Sequence, residues 1–253
     1  MLYFLVNNKK IGQIISLLKK EFPGPDPKPS RSDPLDVLIA TMLSQNTTDK
    51  TSYRAFQNLK NDIGSWEDVL NAPIAKIKKA IKVCGLANQK ALSIKKLLSS
   101  LKRKYGKLSL NYIKKMNDIA VYEDLLKHNG IGVKTVSCVL AFGLGRDIFP
   151  VDTHVHRLSN RLGLVRTKTP DKTYELAGGI IPEGKKFLLH TLFIRFGRKI
   201  CRAKNPFCGN CVLYDLCEFE DKEKYLFIQP RSRNNSSAKP KENNFIILEH
   251  IAP

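Results

Sequence analysis

The sequence predicts an all-α fold. Apolar residues recur at helical spacing in nearly every segment, no convincing period-2 alternation occurs before residue 225, and glycines mark short turns between the periodic runs. At 253 residues the chain has room for one large domain or two small ones.

In order along the chain, Ile11, Ile14, Ile15, Leu18 and Phe22 fall on one face of a first helix. Residues 35–44 read as a helix buried nearly all round. Ser65 is expected as an N-cap, with Trp66, Val69 and Leu70 following. Pro73 stands where a first-turn proline belongs, and that helix is expected to stop at Gly85. A long basic amphipathic helix is expected over 89–105, ended by Gly106. Further helices are expected at about 119–127, 133–142, 153–162, 171–178 and 184–196. Residues 229–243 combine Pro, Ser, Asn and charge with almost nothing apolar, which is the composition of a linker or disordered segment. Residues 245–248 read equally as a short strand or a docking peptide.

Charge narrows the function. Lys and Arg number 43 against 23 Asp and Glu, a formal net charge of +20. Such an excess points to a polyanion, nucleic acid ahead of an anionic membrane surface. From Lys76 to Lys115 there are thirteen basic residues and no acid. A one-signed field of this kind attracts phosphates without specifying a sequence. No apolar run approaches the roughly 18–20 residues of a membrane helix. Met1–Val6 lacks the basic region and cleavage site of a secretory signal. A cytoplasmic, nucleoid-associated protein is the expectation.

The strongest local pattern is the run from Leu125 to Val136, with His128-Asn129 leading into Gly130-Ile131-Gly132-Val133. Two periodic apolar runs meet at a two-glycine turn. Glycine permits positive φ and leaves the backbone bare, so the amides of residues 130–133 can face an anion at a helix start. This is a helix–hairpin–helix suited to gripping a DNA phosphate without reading bases. Lys134 falls in the first turn of the second helix, an unfavourable place for a cation. A positive dipole end, nearby lysines and partial burial disfavour its ammonium form, and a neutral amine is a nucleophile.

Asp152, in Phe149-Pro150-Val151-Asp152-Thr153-His154-Val155-His156, directly precedes an expected helix and reads as its N-cap, a role compatible with facing a cleft. His154 and His156 point apart at helical spacing, which argues against a two-histidine metal site. Cys201, Cys208, Cys211 and Cys217 crowd into 17 residues, and without a secretion signal that suggests metal rather than disulfides. Zinc is compatible with four thiols. The single Cys-x2-Cys flanked by longer gaps, however, suits a larger cluster. Leu43-Ser44-Gln45-Asn46-Thr47-Thr48-Asp49 places a polar loop at the end of an apolar helix, where an amide side chain could fill the gap left by a displaced nucleotide.

Taken together, residues 43–49, 85–91 (GLANQKA), 129–136, 149–158 and the four-cysteine loop resemble the endonuclease III branch of the helix–hairpin–helix DNA glycosylases, over about residues 10–220. The resemblance implies a six-helix barrel with the hairpin (38–144), an iron–sulfur domain (1–37 and 145–222) and a DNA cleft between them, followed by a partly disordered tail (223–253). It implies Lys134 as the Schiff-base lysine, Asp152 as the catalytic aspartate and the four cysteines as ligands of a [4Fe-4S] cluster. The activity implied is that of a bifunctional glycosylase/AP lyase of base excision repair. Such an enzyme removes oxidised pyrimidines from duplex DNA and cleaves 3′ to the abasic site by β-elimination, as a monomer. Arg198, Lys199, Arg202 and Lys204 beside the cluster loop suit phosphate contact.

Two departures bear on specificity. The family's usual Leu-Pro before the hairpin glycines is His128-Asn129 here, and Gln45 and Asn46 both lie near its gap-filling glutamine, with an ungapped alignment favouring Asn46. The alternatives are a superfamily member acting on mismatched thymine or oxidised purine, and a non-catalytic DNA-binding module. The joint presence of Lys134 and Asp152 argues against the module, which needs neither.

Overall fold

The computed structural model describes residues 2–229, with side chains from residue 8 onward. The expected tail beyond 229, including 245–248, lies outside the described residues. Among the described residues there is no strand, as the periodicity predicts. No helix among the described residues is long and apolar enough to cross a membrane.

The chain divides into two compact units. Among the described residues one is continuous, Pro29–Arg146. It holds α2 (Pro34–Ser44), α3 (Asp49–Asp62), α4 (Trp66–Asn71), α5 (Ile74–Ile81), α6 (Ala87–Tyr105), α7 (Asp118–Leu125) and α8 (Val133–Cys138). Its centre is α2, where Leu35, Val37, Leu38, Ile39, Ala40, Met42 and Leu43 are all buried. Such a helix must be surrounded, and α3, α6 and α8 pack around it. Asp33 starts it, its carboxylate accepting from the Leu35 and Asp36 amides, with Pro34 as first helical residue. On its flank Asp36 accepts from Trp66 Nε1 at 2.6 Å and from Lys60 Nζ at 2.9 Å.

Several boundaries differ from expectation for local reasons. Ser65 caps α4 in a full capping box with Asp68. Pro73 is the N-cap of α5 rather than its first-turn residue. The α-helix there ends at Ile81, and a 3-10 turn, Lys82–Cys84, carries the chain to Gly85. The run expected as one helix over 133–142 is α8 followed by a π-turn, Val139–Gly143. Gly143 lies against α2, where an added Cβ would sit 3.1 Å from Pro34 Cα, so the widened turn coincides with a close helix approach. Helix α3 was not expected, because its only buried residues are Ser52, Ala55, Phe56 and Leu59 on an otherwise polar stretch.

Among the described residues the second unit joins 2–28, with the first helix, to 147–229. It contains α1 (Leu2–Glu21), α9 (Thr153–Arg161), α10 (Pro170–Ile180) and α11 (Lys186–Lys199). Helix α11 packs on α9 and α1, and Phe22 meets Phe196 edge-on with ring centroids 6.5 Å apart. His190 is buried and its Nδ1 donates to the Pro150 carbonyl at 2.7 Å. Beyond α11 the chain forms 3-10 turns at Cys208–Asn210, Tyr214–Leu216 and Lys222–Tyr225, so ordered backbone continues past the expected tail boundary at 223.

Candidate nucleic-acid interface and cluster loop

In the continuous unit the hairpin is built by α7, a tight turn and α8. The His128 amide donates to the Leu125 carbonyl at 3.1 Å and the Ile131 amide to the His128 carbonyl at 3.2 Å. Gly130 has φ +85°, a conformation that favours glycine. Gly132 is different: its φ is −109°, and a Cβ built there meets nothing within 4 Å. Neither strain nor crowding demands glycine at 132, and its lack of a side chain leaves the α8 start bare. Ile131 is buried and plugs the turn into the core, while Tyr122 OH and Ser137 Oγ join the two helices at 2.6 Å. Gly132 is the N-cap of α8, Val133 its first residue and Lys134 its second, half-buried.

The approach to the hairpin, where His128 replaces the family's leucine, is electrostatically supported. Burial holds the His128 imidazole below its ordinary pKa, with Asp124 opposing the shift. Burial also works against the Asp124 carboxylate, yet hydrogen bonds from Lys104 at 2.8 Å and Tyr112 at 2.5 Å outweigh it and keep its pKa low.

The polar loop after α2 lies beside this hairpin. Gln45 is exposed, and its Nε2 donates to the Gly130 carbonyl at 3.1 Å, tying loop to turn. Asn46 is exposed too, with φ +53°, a region that asparagine tolerates better than most residues. The structure therefore separates the two amides: Gln45 is engaged with the hairpin, while Asn46 stands at the tip.

The next loop carries a residue that the sequence analysis did not single out. Leu86 precedes α6 with φ +49° and is 53% exposed. A branched apolar side chain in a left-handed conformation and open to solvent costs free energy twice, a combination found where strain serves a site. Its sequence signal was slight: a leucine directly after a turn glycine, outside any apolar periodicity.

In the other unit Asp152 caps α9, as its position before the helix suggests. Its Oδ1 accepts from the His154 and Val155 amides, both at 2.8 Å. The two histidines diverge as expected: His154 Nδ1 meets Arg157 Nη2 at 3.1 Å, while His156 Nδ1 meets Thr173 Oγ1 at 2.7 Å.

The four loop cysteines are free thiols. Burial pushes the thiol of Cys211 up to about 12, and raises those of Cys208 and Cys217, with the neighbouring loop cysteines adding to each shift. They thus lie within electrostatic reach of one another. Among the described residues, however, no three His, Cys, Asp or Glu side chains are grouped closely enough for a single ion. Cations and donors surround the loop. Arg161 Nη1 donates to Cys201 Sγ at 3.3 Å, Arg157 Nη2 to the Cys201 carbonyl at 2.8 Å, and Lys222 Nζ to the Cys217 carbonyl at 2.9 Å. Gly209 is sterically required, since a Cβ there would lie 2.0 Å from the Leu226 oxygen. Of the basic residues expected to contact phosphate, Lys199 pairs with Glu21 at 3.1 Å and the Arg202 guanidinium lies 4.6 Å from the Phe207 ring centre. Arg198 is half-buried in the last turn of α11, and Lys204 is exposed.

Comparison with known proteins agrees with this architecture. Residues 39–183 match the family described as HhH-GPD superfamily base excision DNA repair protein. Endonuclease III of Thermotoga maritima is 37% identical over 74% of this chain and 84% of its own. A chain of Arabidopsis thaliana named as a DNA glycosylase is 42% identical over 70% of this chain, which spans only 58% of that longer relative. A solved structure of a trapped endonuclease III–DNA covalent intermediate superposes with TM-score 0.71 at 29% identity, covering 85% of this chain and 97% of the other. The chain therefore belongs to the HhH-GPD superfamily of base excision DNA repair proteins, within its endonuclease III family.

Proposed function

We propose that this protein is a base excision repair DNA glycosylase with AP lyase activity, acting on oxidised pyrimidines in duplex DNA in the compartment that holds the chromosome. The observation that carries the reading is Lys134 in the first turn after the glycine hairpin of an endonuclease III family chain. The hairpin amides and the basic surface would hold the phosphate backbone. Asn46 would occupy the vacated position in the duplex, Gln45 would brace the hairpin, and Leu86 would wedge between bases as apolar side chains do in kinked DNA.

The chemistry then runs as follows. The Lys134 amine attacks C1′ of the extruded nucleotide, the bond from C1′ to the base breaks, and the base leaves with the electron pair and takes up a proton. Loss of a proton from nitrogen and opening of the sugar ring give an imine. The imine acidifies C2′, and removal of a C2′ proton expels the 3′ phosphate by β-elimination. Water releases the lysine. Asp152 would accept the proton from the amine or stabilise positive charge developing on the sugar.

We further propose that Cys201, Cys208, Cys211 and Cys217 hold a [4Fe-4S] cluster. Four free thiols with Arg161 and Lys222 beside them fit a net-negative group. A guest that fills the centre with its own irons and sulfides needs no single-ion grouping of the side chains. When bound, the cluster supplies a rigid cross-link of the loop, which presents Arg202 and Lys204.

Borohydride trapping tests the reading. Wild-type protein incubated with an abasic-site duplex is expected to form a covalent adduct, and a panel of single-lesion duplexes is expected to give fastest base release from oxidised pyrimidines. Tight binding without any adduct would favour the non-catalytic module. Asp152→Asn probes the second group cleanly, because asparagine also caps helices. Its melting temperature is expected to shift by no more than ~3 °C, while base release falls by about 10²-fold or more. Equal losses in stability and rate would instead assign Asp152 a capping role alone.

A further inference from the structure

Lys90 belongs to the basic run of α6, yet it is only 5% exposed. Its Nζ donates to the Leu43 carbonyl at 2.7 Å and to the Cys84 carbonyl at 3.0 Å, and its backbone amide donates to the Leu86 carbonyl at 3.0 Å. Burial pushes the ammonium below its ordinary pKa, with the Cys84 thiol working the other way. A charge placed there is costly, and it is tolerated because it meets carbonyls that would otherwise lack donors: one at the end of α2 and one at the end of the 3-10 turn.

Those two carbonyls have a particular place in the chain. Leu43 lies two residues before Gln45, and Cys84 two residues before Leu86. Each therefore lies just before an exposed loop residue with positive φ, Asn46 in one case and Leu86 in the other. Gln45 in turn bonds to the hairpin carbonyl of Gly130. A single buried cation thus joins the roots of two loops, and one of them is fastened to the hairpin.

We propose that Lys90 is a positioning residue which, by bridging the Leu43 and Cys84 carbonyls, fixes the spacing between Asn46 and Leu86 so that both enter the duplex together around the extruded nucleotide. The proposal rests on the functional reading of these loops as DNA-facing. It goes beyond that reading in assigning the coupling of the two loops to a residue that touches neither DNA nor the reacting atoms.

The experiment uses the full chain and a duplex with 2-aminopurine opposite a tetrahydrofuran abasic analogue, where no bond is broken and fluorescence reports unstacking of the opposing base. Wild type is expected to raise the fluorescence. Lys90→Met should lose most of that rise at saturating protein, about 5-fold or more, with its Kd changed by less than ~3-fold, and Leu86→Ala should lose a comparable amount. The variant carrying both changes should be no worse than Leu86→Ala alone, because without the wedge there is no spacing left to set. A full rise with Lys90→Met, or losses that multiply in the double variant as independent damage would, overturns the proposal. Should Lys90→Met not fold, Lys90→Gln, whose shorter arm reaches only one of the two carbonyls, should give an intermediate loss, and a full rise there overturns the proposal equally. Borohydride trapping by wild type, run alongside, reports the lyase reading separately: a protein that unstacks the base but forms no adduct fails that reading while the fluorescence comparison still decides this one.

Discussion

Lys134→Gln is expected to abolish the borohydride-trapped adduct and to lower strand cleavage at an abasic site by at least ~10³-fold, while affinity for the same duplex changes by less than about 3-fold. The asymmetry follows from position. Lys134 is half-buried at the second residue of α8, and other residues shape the hairpin: Ile131 plugs the turn, Gly130 supplies the positive φ, and Tyr122 with Ser137 ties the helices. Glutamine is accepted in a helix about as well as lysine. It removes the amine and the charge but keeps most of the length. Binding rests on many phosphate contacts, each a small share of the total. Imine formation rests on one nitrogen. Measuring adduct yield and Kd on one duplex separates the two, and residual trapping in the variant would move the nucleophile elsewhere.

Cys211→Ala is expected to give the second-largest effect, in stability rather than chemistry. Purified wild type should be brown, with broad absorbance near ~400 nm, and the variant should lose that colour. Ligand-binding free energy at a site formed only in the folded chain is also folding free energy. Losing it should lower the melting temperature by about 10 °C or more. The loop has few apolar anchors: Cys208–Asn210 and Tyr214–Leu216 are single 3-10 turns with no buried residue of their own, and Phe207 and Leu213 are its buried apolar side chains. Cys138→Ala is the control, because that thiol is buried beside the π-turn and outside the loop, and its loss should leave the colour intact. A colourless wild type with stoichiometric zinc would replace the cluster with a single ion.

How much of this was readable in the sequence depends on whether a feature is local. The α2 pattern, the Ser65 cap, the Asp152 cap and the glycine hairpin each declare themselves within a few residues, because capping and turn chemistry act over that distance. Helix α3 escaped notice because its start, Thr48, sits in a polar run and its apolar face is narrow. The π-turn at Val139–Gly143 coincides with the close approach of Pro34 on α2, a neighbour far away in the chain that local periodicity does not register. Lys90 is the clearest case. Among thirteen basic residues it looks like one more solvated lysine, and only the arrangement of Leu43 and Cys84 around it turns it inward. Gln45 and Asn46 could be ranked by alignment, but their different partners emerge only when the loop is set against the turn.

The division of the chain has a consequence for the order of its making. Among the described residues Pro29–Arg146 is one uninterrupted stretch, so it can begin to collapse once it has left the ribosome. The first helix has no such option: its aromatic partner, Phe196, is translated 174 residues after Phe22. Helix α1 must therefore wait for that partner while the intervening stretch is made, and the last cysteine of the loop follows only at 217. A group held by the four cysteines could be installed only once residue 217 has been made, into a unit whose separated segments have just met.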